Sequence, residues 1–113
     1  MRFSFVETTV FTRRIGHLGL EEGLRNLQLA LLENPQAGPV EPGTGGLRKV
    51  RMAVPLSGKG KRGGARVHYL LLPHKGLIYL LFAYGKDEAA TLSQEQKRQL
   101  RAVVEAIKRQ HAR

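Results

Sequence analysis

The run Leu77–Tyr84 is the longest nearly continuous apolar stretch of the chain, and it constrains the fold more than any other segment. It is far too short to cross a bilayer, because a membrane-spanning helix needs about 20 apolar residues. A short apolar run between turn signals is typical of a strand that is buried on both faces. The run therefore predicts a central strand, with neighbouring strands beside it and helices packed on the sheet.

Two earlier segments, Lys49–Pro55 and Ala65–Leu72, alternate apolar and polar residues with the period of half-buried strands. The turn-like sequence Pro73–Gly76 joins the second of them to the central run, which predicts a hairpin. The short aromatic-rich segment Phe3–Val6 predicts a first strand.

Three segments have helical periodicity. The pattern over Thr8–Ile15 is weak, whereas the next helix has leucines at intervals of four, three and four, and Pro35 ends it. Ser93 and Gln96 form a capping box ahead of a terminal helix with an apolar stripe. The leucines are Leu20, Leu24, Leu27 and Leu31, and the terminal stripe is Leu100, Val103, Val104 and Ile107. Residues 35–46, with three prolines and four glycines, are predicted to form a loop.

The order β-α-α-β-β-β-α predicts an α+β fold. We expect a small antiparallel sheet with a mixed edge, on which two N-terminal helices and one C-terminal helix pack. A chain of 113 residues fits one domain, 1–113. The chain has no cysteine and Met1–Val10 has no apolar run of the signal-peptide kind, so we expect a cytoplasmic protein.

Charge is concentrated in the middle of the chain. No acidic residue occurs between Glu41 and Asp87, so residues 48–86 carry +9 of the total formal net charge of +10. A cluster of one sign repels itself, and its presence indicates a polyanionic partner such as nucleic acid. The nine cations are Arg48, Lys49, Arg51, Lys59, Lys61, Arg62, Arg66, Lys75 and Lys86.

Strand parity brings some of these cations together. Lys49 and Arg51 project from one side of their strand, and Arg66 and His68 share a side of the next strand. If the helices cover the apolar face, the four side chains converge on the uncovered face as a basic concave surface.

Tyr84 and Lys86 share parity at the end of the central run, where the tyrosine can pack in the core, stack on a base or act on a proton.

The glycine-rich segment 57–64 matches the spacing of a dinucleotide fingerprint, but a strand follows it instead of a helix, so we reject a nucleotide site. Its cations either reach a phosphate backbone or stay solvated. They are Lys59, Lys61 and Arg62.

The four histidines have no metal-ligand spacing, and we expect neither a metal nor another cofactor. His68 is either an ordinary sheet histidine or a general acid or base. A surrounding positive field would lower the pKa of His68 and favour the neutral base.

Three ordered motifs resemble the toxins of the RelE/HigB superfamily, and the likeness is closest to the HigB-type branch. They are GTGGLRKVRMA at 43–53, GKGKRGGARVHY at 58–69 and LLFAYGKDE at 80–88. FVETTVF near the N-terminus and ENP after the second helix fit as well, so the likeness spans nearly the whole chain.

The resemblance implies a RelE-like fold and the toxic half of a type II toxin–antitoxin pair. Such toxins are endoribonucleases that enter the ribosomal A site and cut the mRNA being translated. They need no metal, because the ribose 2′-OH attacks the adjacent phosphate and leaves a cyclic phosphate and a free 5′-OH. A cognate antitoxin, usually of helix-turn-helix type, neutralises the toxin and links it indirectly to operator DNA. No membrane partner is implied.

By similarity, Lys49 and Arg51 match basic positions of the second strand, and Lys86 matches a basic residue at the end of the last strand. Arg66 matches the strand arginine that would hold the scissile phosphate. Clustered cations suit this chemistry, since phosphoryl transfer mainly needs positioning and charge stabilisation. The cations expected to bind the RNA backbone are Arg48, Lys59, Lys61 and Arg62.

Two departures from RelE concern proton transfer. Asp87 stands where RelE has an arginine after the lysine equivalent to Lys86, and no tyrosine follows Tyr84, whereas RelE uses one on its terminal helix. The remaining candidates are Tyr84, His68 or a lysine with a depressed pKa.

Two other hypotheses stay open beside the endoribonuclease. One is a non-catalytic basic module that binds RNA or DNA. The other is an inactive toxin homologue that only binds its antitoxin.

Overall fold

The computed structural model describes residues 2–52 and 64–112. The elements follow the order β-α-α-β-β-β-α, so the predicted α+β fold is confirmed. The strands are β1 (Ser4–Glu7), β2 (Arg48–Met52), β3 (Ala65–Leu72) and β4 (Leu77–Gly85), and the helices are α1 (Thr9–Leu18), α2 (Glu21–Glu33) and α3 (Gln94–Gln110). The last residues of the predicted second strand, 53–55, lie outside the described part of the chain.

The sheet has the strand order β1-β4-β3-β2. β2, β3 and β4 are antiparallel neighbours, whereas β1 runs parallel to β4 and makes the edge mixed, as predicted. The apolar run forms β4, which lies between two strands and is buried along most of its length. β1 pairs only with residues 77–80, so the second half of β4 extends past the end of β1.

Helices α1 and α2 cover one face of the sheet. The four leucines of the predicted repeat are buried there with Phe11 and Ile15 of α1, against Met52, Val67 and Leu80 of the strands. α1 ends at Gly19, whose φ of 66° is left-handed and favours glycine at this position. The Val/Met face is therefore covered by the two N-terminal helices.

Helix α3 packs on the opposite face. Its capping box is present, and Val104 and Ile107 are buried against Leu70 and Leu81. Val103 was predicted to belong to the same apolar stripe, but its side chain is 41% exposed. The stripe that meets the sheet passes through 100, 104 and 107, and a residue one step from 104 is rotated by about 100° away from it.

The predicted loop 35–46 folds back along β2. The backbone N–H of Lys49 donates to the Pro39 carbonyl at 3.0 Å, and that of Glu41 donates to the Leu47 carbonyl at 2.8 Å. Glycine is required at position 38, where the segment lies close to β2, because an added Cβ would lie 2.5 Å from the Lys49 carbonyl oxygen. The Lys108 ammonium of α3 also donates to the Gly45 carbonyl at 2.7 Å. This segment thus lies against both β2 and α3.

No helix within the described residues is long and apolar enough to span a membrane.

Candidate functional site

Two rows of side chains cross the sheet on the face of α3. In the first row Arg51 faces Arg66, and Arg66 faces Tyr84. In the second row Lys49 faces His68, and His68 faces Phe82. Directly facing residues of antiparallel strands project to the same side. The structure therefore brings together the four side chains that strand parity grouped, and it adds Tyr84 to them.

The face that carries these rows is not open, which corrects the expectation of an uncovered surface. Helix α3 and the segment 39–47 lie over part of it, because the sheet has apolar residues on both sides and each must be covered. His68 is completely buried as a result. Lys49 and Arg66 are half-buried, and Arg51 is exposed.

Glu41 lies at the centre of the basic cluster. One oxygen of its carboxylate is 3.8 Å from both Lys49 Nζ and His68 Nε2, and the other is 3.7 Å from Lys97 Nζ. Only 12% of its side chain is exposed. The cluster is therefore a carboxylate surrounded by two lysines and an imidazole.

Glu41 and Lys97 were not among the site residues identified from the sequence. Lys97 belongs to α3, and nothing in the local sequence indicates that it approaches β2. Glu41 has a weak signal: it is the only acidic residue between Glu33 and Asp87, and it lies in the sequence PVEP.

The environment of His68 lowers its pKa from 6.5 to about 4. Burial is the largest cause, and the charges of Lys49 and Lys97 act in the same direction, while Glu41 opposes them. A lowered pKa was expected from the positive field alone, whereas burial is the larger cause. His68 is therefore a neutral imidazole near pH 7.

A cavity of about 440 Å³ opens beside the cluster. Its polar side chains are Glu41, Lys49, Arg51 and Arg66, and the remaining wall comes from Pro39, Val40, Pro42 and Val50. A cavity of this size is large enough for a small ligand. Three cations and one carboxylate line it. The cations can bind an anion, and the carboxylate can accept a proton from the same ligand.

Several buried polar atoms of the two rows have no hydrogen-bond partner within the described residues. They are Arg66 Nη1, the Tyr84 hydroxyl and both ring nitrogens of His68. A buried donor without an acceptor costs about 1–3 kcal/mol. Of these residues only Arg66 lines the cavity, where a phosphate oxygen could accept from its guanidinium, and Tyr84 faces Arg66 from the next strand.

Tyr84 is held between aromatic rings. Its ring stacks on the His68 ring, with the two centroids 5.8 Å apart. The centroid of the Phe82 ring lies 5.9 Å from that of Tyr84. Burial raises the pKa of the Tyr84 phenol, and Glu41 acts in the same direction while Arg66 opposes it. The phenol therefore stays protonated near neutral pH and can act as a hydrogen-bond donor.

The other predicted site residues lie elsewhere. Arg48 faces Tyr69, on the opposite side of β2 from Lys49, and its guanidinium donates to the Gly38 carbonyl at 2.7 Å. Lys86 is exposed in the turn after β4. The loop cations Lys59, Lys61 and Arg62 lie outside the described residues.

No group of three or more His, Asp or Glu side chains with metal-binding geometry is found in the described part of the chain. No protein-family model matches the chain.

Proposed function

We propose that this protein is a ribosome-dependent endoribonuclease of the RelE/HigB toxin type, which inhibits translation by cutting mRNA in the A site. The observation that supports the proposal most directly is one cavity that contains two facing strand arginines and a carboxylate, with the buried Tyr84 phenol facing one of those arginines. This set provides phosphate binding, a proton acceptor and a hydrogen-bond donor within one site.

The arginines are the phosphate ligands in this proposal. Arg51 and Arg66 face each other across β2 and β3, and both line the cavity. Charge-assisted bonds from guanidinium to phosphate are strong and directional, and they stabilise charge that develops on the phosphate oxygens. A bound phosphate also offsets the repulsion between the two guanidinium groups.

Glu41 and Tyr84 complete the reaction. The 2′-OH gives its proton to the Glu41 carboxylate, and its oxygen forms a bond to phosphorus while the bond to the 5′ oxygen breaks. The products are a 2′,3′-cyclic phosphate and a 5′-OH, whose proton comes from water, and the proton on Glu41 passes to solvent. The protonated Tyr84 phenol donates a hydrogen bond to the phosphate or to the leaving oxygen. The neutral His68 ring stacks on the Tyr84 ring.

The resemblance to the RelE/HigB toxins implies the proposed partners. They are translated mRNA, the ribosome, and a cognate antitoxin that neutralises the toxin and contacts operator DNA, all in the cytoplasm. A net charge of +10 favours association with ribosomal RNA and with an acidic antitoxin surface. Lys49 and Lys97 keep positive charge beside the catalytic carboxylate.

Induced expression tests the proposal. Wild-type protein should stop growth, and primer extension should map cuts within translated messages. Arg66→Ala should abolish both effects, whereas Arg13→Ala, which removes an exposed arginine of α1, should retain them. If wild type is as harmless as Arg66→Ala, the proposal fails. Binding to ribosomes without cleavage would instead support the non-catalytic module, and binding to the antitoxin alone would support an inactive homologue.

A further inference from the structure

The backbone on both sides of Tyr84 lies at an edge of the sheet that β1 does not reach. β1 pairs with β4 only as far as Leu80. In an extended strand the carbonyl of residue 83 and the N–H of residue 85 point to the same edge. A neighbouring strand would normally form hydrogen bonds with these two groups, and without one the strand edge leaves them unpaired.

Two side chains take the place of the missing strand. The Arg14 Nε donates to the Ala83 carbonyl at 2.9 Å, and a Glu88 oxygen accepts from the Gly85 N–H at 2.7 Å. Arg14 and Glu88 also form an ion pair with each other. Together they bridge the two peptide groups that flank Tyr84.

Further contacts support this bridge. The Arg14 guanidinium lies over the Phe82 ring, 5.7 Å from its centroid, and Phe82 in turn contacts Tyr84. The Gly85 N–H is the first cause of a lowered pKa for the Glu88 carboxyl, and Arg14 acts in the same direction. The side chains of Arg14 and Glu88 are 25% and 39% exposed, so the ion pair is only partly shielded, and the two backbone hydrogen bonds carry most of the bridge.

We propose that Arg14 and Glu88 are positioning residues, which hold the strand end so that Tyr84 keeps its place opposite Arg66, the arginine assigned to the phosphate. The proposal rests on the proposed function, because it assigns the bridge to the placement of a catalytic phenol. Neither residue lines the cavity. Their effect passes through the backbone of residues 83–85, and small displacements of a catalytic group can cost about 100-fold in rate.

Variants of the bridge separate positioning from general stability. Arg14→Gln removes the ion pair, and Arg14→Lys keeps the charge but loses the forked geometry. Both should lower the single-turnover cleavage rate about 10-fold or more and change the Kd for uncleavable RNA less than 2-fold. Arg13→Gln, on the same helix with the same loss of charge, should match wild type. In a Tyr84→Phe background, Arg14→Gln should have no further effect, and an equal loss in both backgrounds would overturn the proposal.

A second measurement does not depend on cleavage. The NMR signals of the Tyr84 ring, assigned with Tyr84→Phe, should shift in Arg14→Gln and in Glu88→Gln, and the phenol should titrate at a different pH. The ring signals of Tyr69 should not change. If wild type cuts no RNA, the proposed function fails while the bridge is still judged by these signals. If the Tyr84 signals are unchanged in both variants, the bridge does not position this residue.

Discussion

Arg51 and Arg66 face each other directly on β2 and β3, on the same side of the sheet. Neither arginine forms an ion pair with any of the described residues. Like charges at facing positions destabilise a pair of antiparallel strands. The pair therefore weakens the isolated fold, and a bound anion would reverse this effect.

This pair predicts that stability and activity change in opposite directions. Arg51→Gln should raise the free energy of unfolding by roughly 0.5 kcal/mol, because it removes the repulsion across the strands. The same change should lower the cleavage rate by about 100-fold, since one donor to the phosphate is lost. Urea unfolding and single-turnover cleavage measure the two quantities. Arg25→Gln, an exposed change on α2, is the control, and a loss of stability in Arg51→Gln would contradict the prediction.

Strand parity was sufficient to group Lys49, Arg51, Arg66 and His68, because a strand alternates its faces regularly and facing residues of antiparallel neighbours project to the same side. The central position of β4 followed from its apolar run, because a strand with apolar residues on both faces must be buried between neighbours. These features depend on neighbours in sequence, so the sequence pattern reports them directly.

Burial of the cluster did not follow from parity. Whether a face is open depends on which distant segments lie over it, and the coverage here comes from the segment 39–47 and from α3. Glu41 and Lys97 meet only because both segments pack together near β2. Local sequence periodicity does not predict contacts between such distant segments. The role of Arg14 was not predicted for the same reason, because its partners at 83 and 88 are about 70 residues away in sequence.

His68 makes the stability of the fold depend on pH. Its folded-state pKa of about 4 lies below the ordinary value of 6.5, so the unfolded chain binds this proton more tightly. The contribution of His68 to the free energy of unfolding is complete above about pH 6.5. It decreases as the pH falls towards 4, and the total loss is roughly 3 kcal/mol. Unfolding followed between pH 4 and 7 should show this slope, and His68→Leu should flatten it. His74→Gln, an exposed change, should keep the slope, and an unchanged slope in His68→Leu would refute the assignment.

Tyr69 connects the core to the segment that leads to Glu41. Its hydroxyl donates to the Pro35 carbonyl at 2.7 Å and accepts from the Gly38 N–H at 3.1 Å. Tyr69→Phe should lower the free energy of unfolding by about 1–2 kcal/mol, because both backbone groups lose a partner. Chemical denaturation measures the loss. Tyr79→Phe, whose hydroxyl bonds to His111 near the end of α3, should cost less, and equal losses would argue against a special role for Tyr69.

Glu41 should affect RNA binding and RNA cleavage in opposite directions. Glu41→Gln removes a negative charge 3.7–3.8 Å from two lysines, so the site becomes more positive and uncleavable 2′-O-methyl RNA should bind more tightly, with a steeper dependence on salt. Cleavage should fall by about 100-fold or more, because the proton acceptor for the 2′-OH is lost. Titrations at several salt concentrations and single-turnover kinetics measure the two effects. Glu33→Gln, which removes the same charge at the exposed end of α2, should change neither by more than about 2-fold. If Glu41→Gln binds more tightly and still cleaves at the wild-type rate, Glu41 only tunes the charge of the site and another group accepts the proton.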